Sequence, residues 1–251
     1  MTAMPLQPKS VRENAVNGLR GLMLLLIVTT HYVPSSFFSG NIARPAAAVM
    51  LAVTGYFFMS IVERDTAAFD GRLRDRVAAA LRLFLNRHMR IWPVMIGVVL
   101  MYVLLGFLDP SPITTQIHGT WPLYVLYMGN VVKMIFEGAA FPAHFWLISA
   151  QEQFVTIALG ACVIGGTRRL GLFLKIAIGV GVVGRVVGAM LWMPENPALA
   201  TESPFAIADA VALGMLCRIA ISGGQSKTAL RRRVMVGIIL TTILWAAVPN
   251  T

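Results

Sequence analysis

Charged side chains sit inside or at the edges of apolar runs that are each long enough to cross a bilayer, and this constrains the chain more than any other feature. The runs are blocks of about 17–23 residues, against a hydrocarbon core ~30 Å thick that needs about 20 helical residues. Arg20, His31, Arg90 and Glu152 lie in or beside them. A charge at the centre of a membrane helix costs about 2.5–3.5 kcal/mol on insertion scales, so such residues turn toward a bundle interior or a water-filled site. The chain is 57% hydrophobic and only 13% charged, too little polar surface for a soluble domain of 251 residues. The expected fold is an all-α, polytopic transmembrane bundle forming one domain over residues 1–251, with about seven to eight membrane segments.

The net charge of +10 does not point to nucleic acid, because the basic residues bunch in short connecting segments, as membrane topology requires. Cys162 and Cys217 stand in apolar runs without metal-ligand spacing and read as small buried hydrophobes, so no metal is expected. The polar stretch from Met1 to Val16 and the long run after it do not read as a cleavable signal, and the run is expected to remain as an anchor.

The expected spans are Gly18–Phe38, Pro45–Val62, Ile91–Leu108, Phe145–Gly165, Leu170–Met193, Phe205–Ile221 and Met235–Val248, with a marginal segment at Trp121–Phe136. Arg64 to Arg90 is the most basic stretch and reads as a cytoplasmic loop, while Asp109-Pro110-Ser111-Pro112 is a helix stop. With the N-terminus in the cytoplasm, full crossing by Trp121–Phe136 would put Arg168, Arg169 and the Arg231–Arg233 cluster outside. If the segment dips in and returns, all of them lie inside. The segment is therefore expected to be re-entrant or to lie at the outer interface, forming the wall of a pocket.

Three constellations could carry chemistry. Arg20 and His31 are three turns apart and share a helix face, about 16 Å apart along the axis; snorkelling and interfacial capping explain them equally well. Arg87 and Arg90, beside the Trp92-Pro93 start of a span, suit phosphate because guanidinium offers a rigid fork of donors, whereas Arg72 to Arg82 read as topology signals. His144 to Phe154 holds five polar side chains at the start of a span, with Gln151 and Glu152 adjacent. A carboxylate there can orient a histidine, accept a proton or bind a hydroxyl, or it can belong to a hydrogen-bonded seam between helices. Arg44, Arg185 and Asp209 are single charges that snorkelling or pairing would explain.

Taken in order, these pieces resemble acyltransferase family 3, the bacterial integral-membrane O-acyltransferases. Asn17-Gly18-Leu19-Arg20-Gly21 running into His31 looks like the family's opening element. Leu51-Ala52-Val53-Thr54-Gly55-Tyr56-Phe57 is similar to its second-span element. Arg87 with Arg90-Ile91-Trp92-Pro93 looks like its Arg-x-x-Arg-Ile-x-Pro element, and His144-Phe145-Trp146 through Phe154 resembles its His-x-Trp box. Gln151 stands where that box has its first Glu, and the chain ends at Thr251 after fewer spans than the family has, which suggests a short variant or a front part.

The resemblance implies transfer of an acetyl or other short acyl group from acyl-CoA to a hydroxyl of an envelope polysaccharide, a lipopolysaccharide or a lipid-linked sugar, in the bacterial inner membrane. His31 would be the base or a transient acyl carrier, since its ordinary pKa lies near neutrality. Glu152 or Gln151 would orient it or the acceptor. Arg87 and Arg90 would meet the CoA phosphates, Arg20 would support the donor's route, and Trp146 would line the substrate site. A transporter or flippase, and a truncated non-catalytic member, are the alternatives.

Overall fold

The computed structural model describes residues 18–19, 21–26, 29, 43–108, 111–135, 145–191, 204–223 and 236–237, and every regular element among them is helical. The helices used below are α1 (Ala43–Arg64), α2 (Thr66–Phe69), α3 (Leu73–Leu108), α4 (Pro112–Val125), α5 (Gly129–Ile135), α6 (Phe145–Leu191) and α7 (Pro204–Ser222). Three stretches are long and apolar enough to cross a bilayer: Pro45–Arg64, Leu73–Leu108 and Phe145–Gly188. Three such helices are the mark of a multi-pass membrane protein.

The third stretch is bent double. Gly166 has φ +65° and ψ −175°, a conformation open to glycine and costly for any residue with a Cβ. The rings of Phe154 and Phe173 lie 6.3 Å apart, whereas nineteen residues of unbroken helix would separate them by ~28 Å. Asp70 caps the second arm by accepting from Thr167 N at 3.1 Å and Thr167 Oγ1 at 2.8 Å. Arg76 Nη1 reaches the last carbonyls of the first arm, Val163 and Ile164, at 3.5 Å. An anion at a helix N-terminus and a cation at a C-terminus are the favourable signs for the helix dipoles. The reversal falls between the expected spans Phe145–Gly165 and Leu170–Met193.

α1 lies against α7 at backbone distance. A Cβ on Gly55 would stand 2.1 Å from the Val211 carbonyl oxygen, and one on Gly214 would stand 1.8 Å from that of Ala52. In lipid, where burial of apolar area brings helices together only weakly, small residues that admit such approach are a main source of association. At one end of this pair Arg218 Nε donates to Glu63 Oε2 at 2.6 Å and Ser222 Oγ donates to Glu63 Oε1. Deeper in the bundle Arg185 of α6 donates to Asp209 of α7 at 2.6 Å, with 4% and 2% of the side chains exposed, so these two charges pair.

Two expectations need correction. The basic stretch before the third span is not all loop: residues from Leu73 onward form one helix through Arg90 to Leu108, with Pro93 inside it rather than at a helix start. Arginine and alanine favour helix, and no glycine or proline interrupts Leu73 to Trp92, so a charge-rich stretch continues the span. The stop after this helix does form: α3 ends at Leu108, and Ser111 caps α4 by accepting from Thr114 N at 3.3 Å.

α4 runs back along only part of α3. His118 Nε2 donates to the Val103 carbonyl at 2.8 Å, and Trp92 Nε1 donates to that of Val125 at the same distance. The helix then breaks at Tyr127, which has φ +57°. The marginal segment is thus broken rather than one continuous spanning helix. The Gly166 turn beside Arg168 and Arg169, the α2 corner and the end of α7 all gather at one end of the bundle, tied by Asp70, Arg76 and Glu63.

Gly214→Val is expected to lower stability by about 1–3 kcal/mol through overpacking, read as a drop in midpoint temperature of the detergent-solubilised protein. Gly179→Ala, where a Cβ meets nothing within 4 Å, is expected to raise it slightly. Equal tolerance of both substitutions would contradict the α1–α7 contact.

Candidate functional site

The site forms where α3 passes the first arm of α6. Arg87 holds Glu152 with two nitrogens: Nε lies 2.7 Å from Oε2 and 2.9 Å from Oε1, and Nη2 lies 2.6 Å from Oε1. Glu152 is 1% exposed and the Arg87 side chain 19%, so the carboxylate is enclosed and the guanidinium reaches toward the surface. Gln151 Nε2 adds a third donor to Glu152 Oε1 at 3.1 Å. The planar fork and the carboxylate match geometrically, which is why arginine rather than lysine suits this buried contact.

The Arg87 guanidinium lies 6.0 Å from the centroid of the Phe58 ring of α1. Between α1 and α3 a cleft of about 440 Å³ opens, walled by Phe57, Phe58, Ile61, Leu83 and Ile91. Arg64, Arg87 and Arg90 also line it, with Ser60 and Asn86. That volume falls in the range of small-molecule sites, which run from about 300 to 1,000 Å³. The described parts of α1 and α3 barely touch, since α1 rests on α7 while α3 rests on α4 and α6.

A second layer fixes the broken segment to α6. Ser149 Oγ accepts from Gly129 N at 3.0 Å. Asn130 and Gln153 exchange amide hydrogen bonds, both at 3.0 Å, and Gln153 Nε2 also donates to the Tyr127 carbonyl at 2.7 Å. These bonds hold Tyr127 in its left-handed backbone conformation, which a bulky residue adopts only when its surroundings enforce it. Tyr127 packs edge-on to His88, whose ring stacks on Phe84 and donates through Nδ1 to the Phe84 carbonyl at 2.8 Å. The Tyr127 hydroxyl is buried with no hydrogen-bond partner among the described residues.

Of the sequence-predicted site residues, the structure brings together Arg87, Gln151 and Glu152, and puts Arg90 on the same cleft. Trp146 lies earlier on α6, partly buried against the main core. Arg20 and His31 fall outside the described residues. Reading the sequence did not single out Arg64, Tyr127, His88, Ser149, Gln153 or Asn130 as site residues. Ser149 and Gln153, four apart on one helix face beside Glu152, were the available signal for the bonded seam.

Glu152→Ala is expected to cost about 1–3 kcal/mol, because it removes the carboxylate that a partly buried guanidinium is bonded to. The Arg87→Ala/Glu152→Ala double variant should recover part of that loss, and a double-mutant cycle on thermal midpoints measures it. Strictly additive losses would contradict the pairing. Compared with known proteins, the chain matches no family model, no curated protein and no solved structure.

Proposed function

We propose that this chain is a multi-pass membrane O-acyltransferase. It moves an acetyl or other short acyl group from acyl-CoA to a hydroxyl of a cell-envelope polysaccharide, a lipopolysaccharide or a lipid-linked sugar. The observation that carries the reading is the Arg87–Glu152 pair, whose arginine lines the α1–α3 cleft. It joins two of the ordered elements of the acyltransferase family 3 resemblance, 65 positions apart in sequence.

In this reading the acceptor oxygen attacks the thioester carbonyl carbon while His31 takes the hydroxyl proton. The C–S bond then breaks, and the CoA thiolate leaves and takes up a proton. Arg87 and Arg90 receive the phosphates of the donor, Arg20 lies along its route, and Gln151 and Trp146 contribute to the substrate site. Glu152 already accepts from three donors, two nitrogens of Arg87 and Gln151 Nε2, which favours a positioning role for it: it aims Arg87.

The reading places the chain in a bacterial inner membrane with seven or eight membrane segments and the N-terminus in the cytoplasm. The α4–α5 segment enters from the face opposite the basic end and does not cross alone. The gathering of the Gly166 turn, beside Arg168 and Arg169, and the end of α7 at the α2 corner supports this topology.

Membranes carrying the chain are expected to transfer label from acetyl-CoA into an envelope glycan or lipid fraction, and His31→Ala to abolish transfer while the protein still inserts. Activity retained in the variant would sink the histidine mechanism. Absence of incorporation by well-inserted wild type would sink the acyltransferase reading and turn attention to transport.

A further inference from the structure

Arg64, Arg87 and Arg90 come from two helices that hardly touch elsewhere, yet all three line one cleft with largely apolar walls. Glu152 is the one carboxylate in contact with any of them among the described residues, and its oxygens are already taken up by Arg87 and Gln151. Arg64 and Arg90 have no carboxylate partner among the described residues. Arg87 is partly buried while Arg64 and Arg90 are exposed on the same cleft, so the three like charges raise the positive potential there, tempered by solvent at the two exposed arginines. Of the other basic residues at this end, Arg82 pairs with Asp65 at 2.6 Å, Arg76 bonds carbonyls at the Gly166 turn and Arg218 pairs with Glu63, whereas the exposed Arg72, Arg74, Arg168 and Arg169 have no ion pair among the described residues. Arg64 and Arg90 differ from these four in lining the cleft.

We infer that the α1–α3 cleft is a phosphate-ester site in which Arg64 closes a three-arginine clamp from the wall opposite Arg87 and Arg90. Arg87 spends Nε and Nη2 on Glu152, which fixes the plane of its guanidinium and leaves Nη1 for the ligand. Arg64 and Arg90 supply forks from the two rims, and Ser60 and Asn86 offer neutral hydrogen bonds. Phe57, Phe58 and Ile61 then face the part of the ligand that carries no charge. The ligand is therefore a phosphate or pyrophosphate on an extended, weakly polar tail. Two sources have that chemistry: a soluble acyl-CoA and a lipid with a phosphate headgroup. The inference rests on the proposed function only for the first of these.

The test uses the full chain in nanodiscs of phosphatidylcholine, with radiolabelled inorganic pyrophosphate as the probe in equilibrium dialysis. Wild type is expected to bind pyrophosphate, and Arg64→Gln to weaken binding about tenfold. Arg64→Lys should recover part of it, and Arg82→Gln, which removes a paired cation outside the cleft, should change it less than twofold. Competition separates the sources. Displacement by acetyl-CoA alone assigns the cleft to the soluble ester, and displacement on adding phosphatidic acid to the disc assigns it to a lipid. Displacement by neither, no binding by wild type, or equal weakening by Arg64→Gln and Arg82→Gln would overturn the clamp. Intact pyrophosphate binding in a chain that transfers no acetyl would overturn the acyltransferase reading and leave the clamp standing.

Discussion

A carboxylate that is 1% exposed among membrane-spanning helices needs a donor held against it, and the packing of α3 on α6 supplies one to Glu152 in Arg87. Desolvating either ion alone costs several kcal/mol, so the two helices must present Arg87 and Glu152 at the same level. The clamp at the far end of the same helix pair sets that level. Asp70 and Arg76, just before α3 and in its first turn, grip the two helix ends at Gly166. From Arg76 to Arg87 and from Val163 back to Glu152 the two helices advance by the same number of residues, so anchoring one contact registers the other.

Among the described residues the same logic applies to the buried pair of α6 and α7, and a partly exposed pair joins α1 to α7. Arg185 and Asp209 pair across α6 and α7, and Glu63 receives Arg218 across α1 and α7. Among the described residues, α1, α3, α6 and α7 are thus each tied to a neighbour by an ion pair. Such pairs add little stability over apolar packing, but a one-residue slip would leave both ions unpaired, so they select register.

The sequence made the helical class, the helix stop before Ser111, the reversal between Gly165 and Leu170 and the polar box around Glu152 legible, because each is a local signal: apolar run length, proline and glycine placement, or polar residues where lipid disfavours them. The basic stretch was misread from Leu73 to Arg90 because arginine density marks cytoplasmic position whether the backbone is loop or helix, while the helical signal there lay in the absence of breakers. Arg64 was passed over for a different reason. Its role depends on α1 and α3 diverging around a cleft, and no spacing within either helix encodes the gap between them.

That gap has a cause in the backbone contact between α1 and α7. Gly55 and Gly214 let the two helices approach until a Cβ at either position would overlap the opposite carbonyl, which commits the small-residue face of α1 to α7. The face of α1 that carries Phe57, Phe58, Ile61 and Arg64 is left toward α3 with bulky side chains that hold the backbones apart. α3 meanwhile is drawn to α6 through Arg87 and to α4 through Trp92 and His118. The cleft is the space between two helices whose strongest contacts lie elsewhere. A ligand can enter it without breaking packing that the bundle needs.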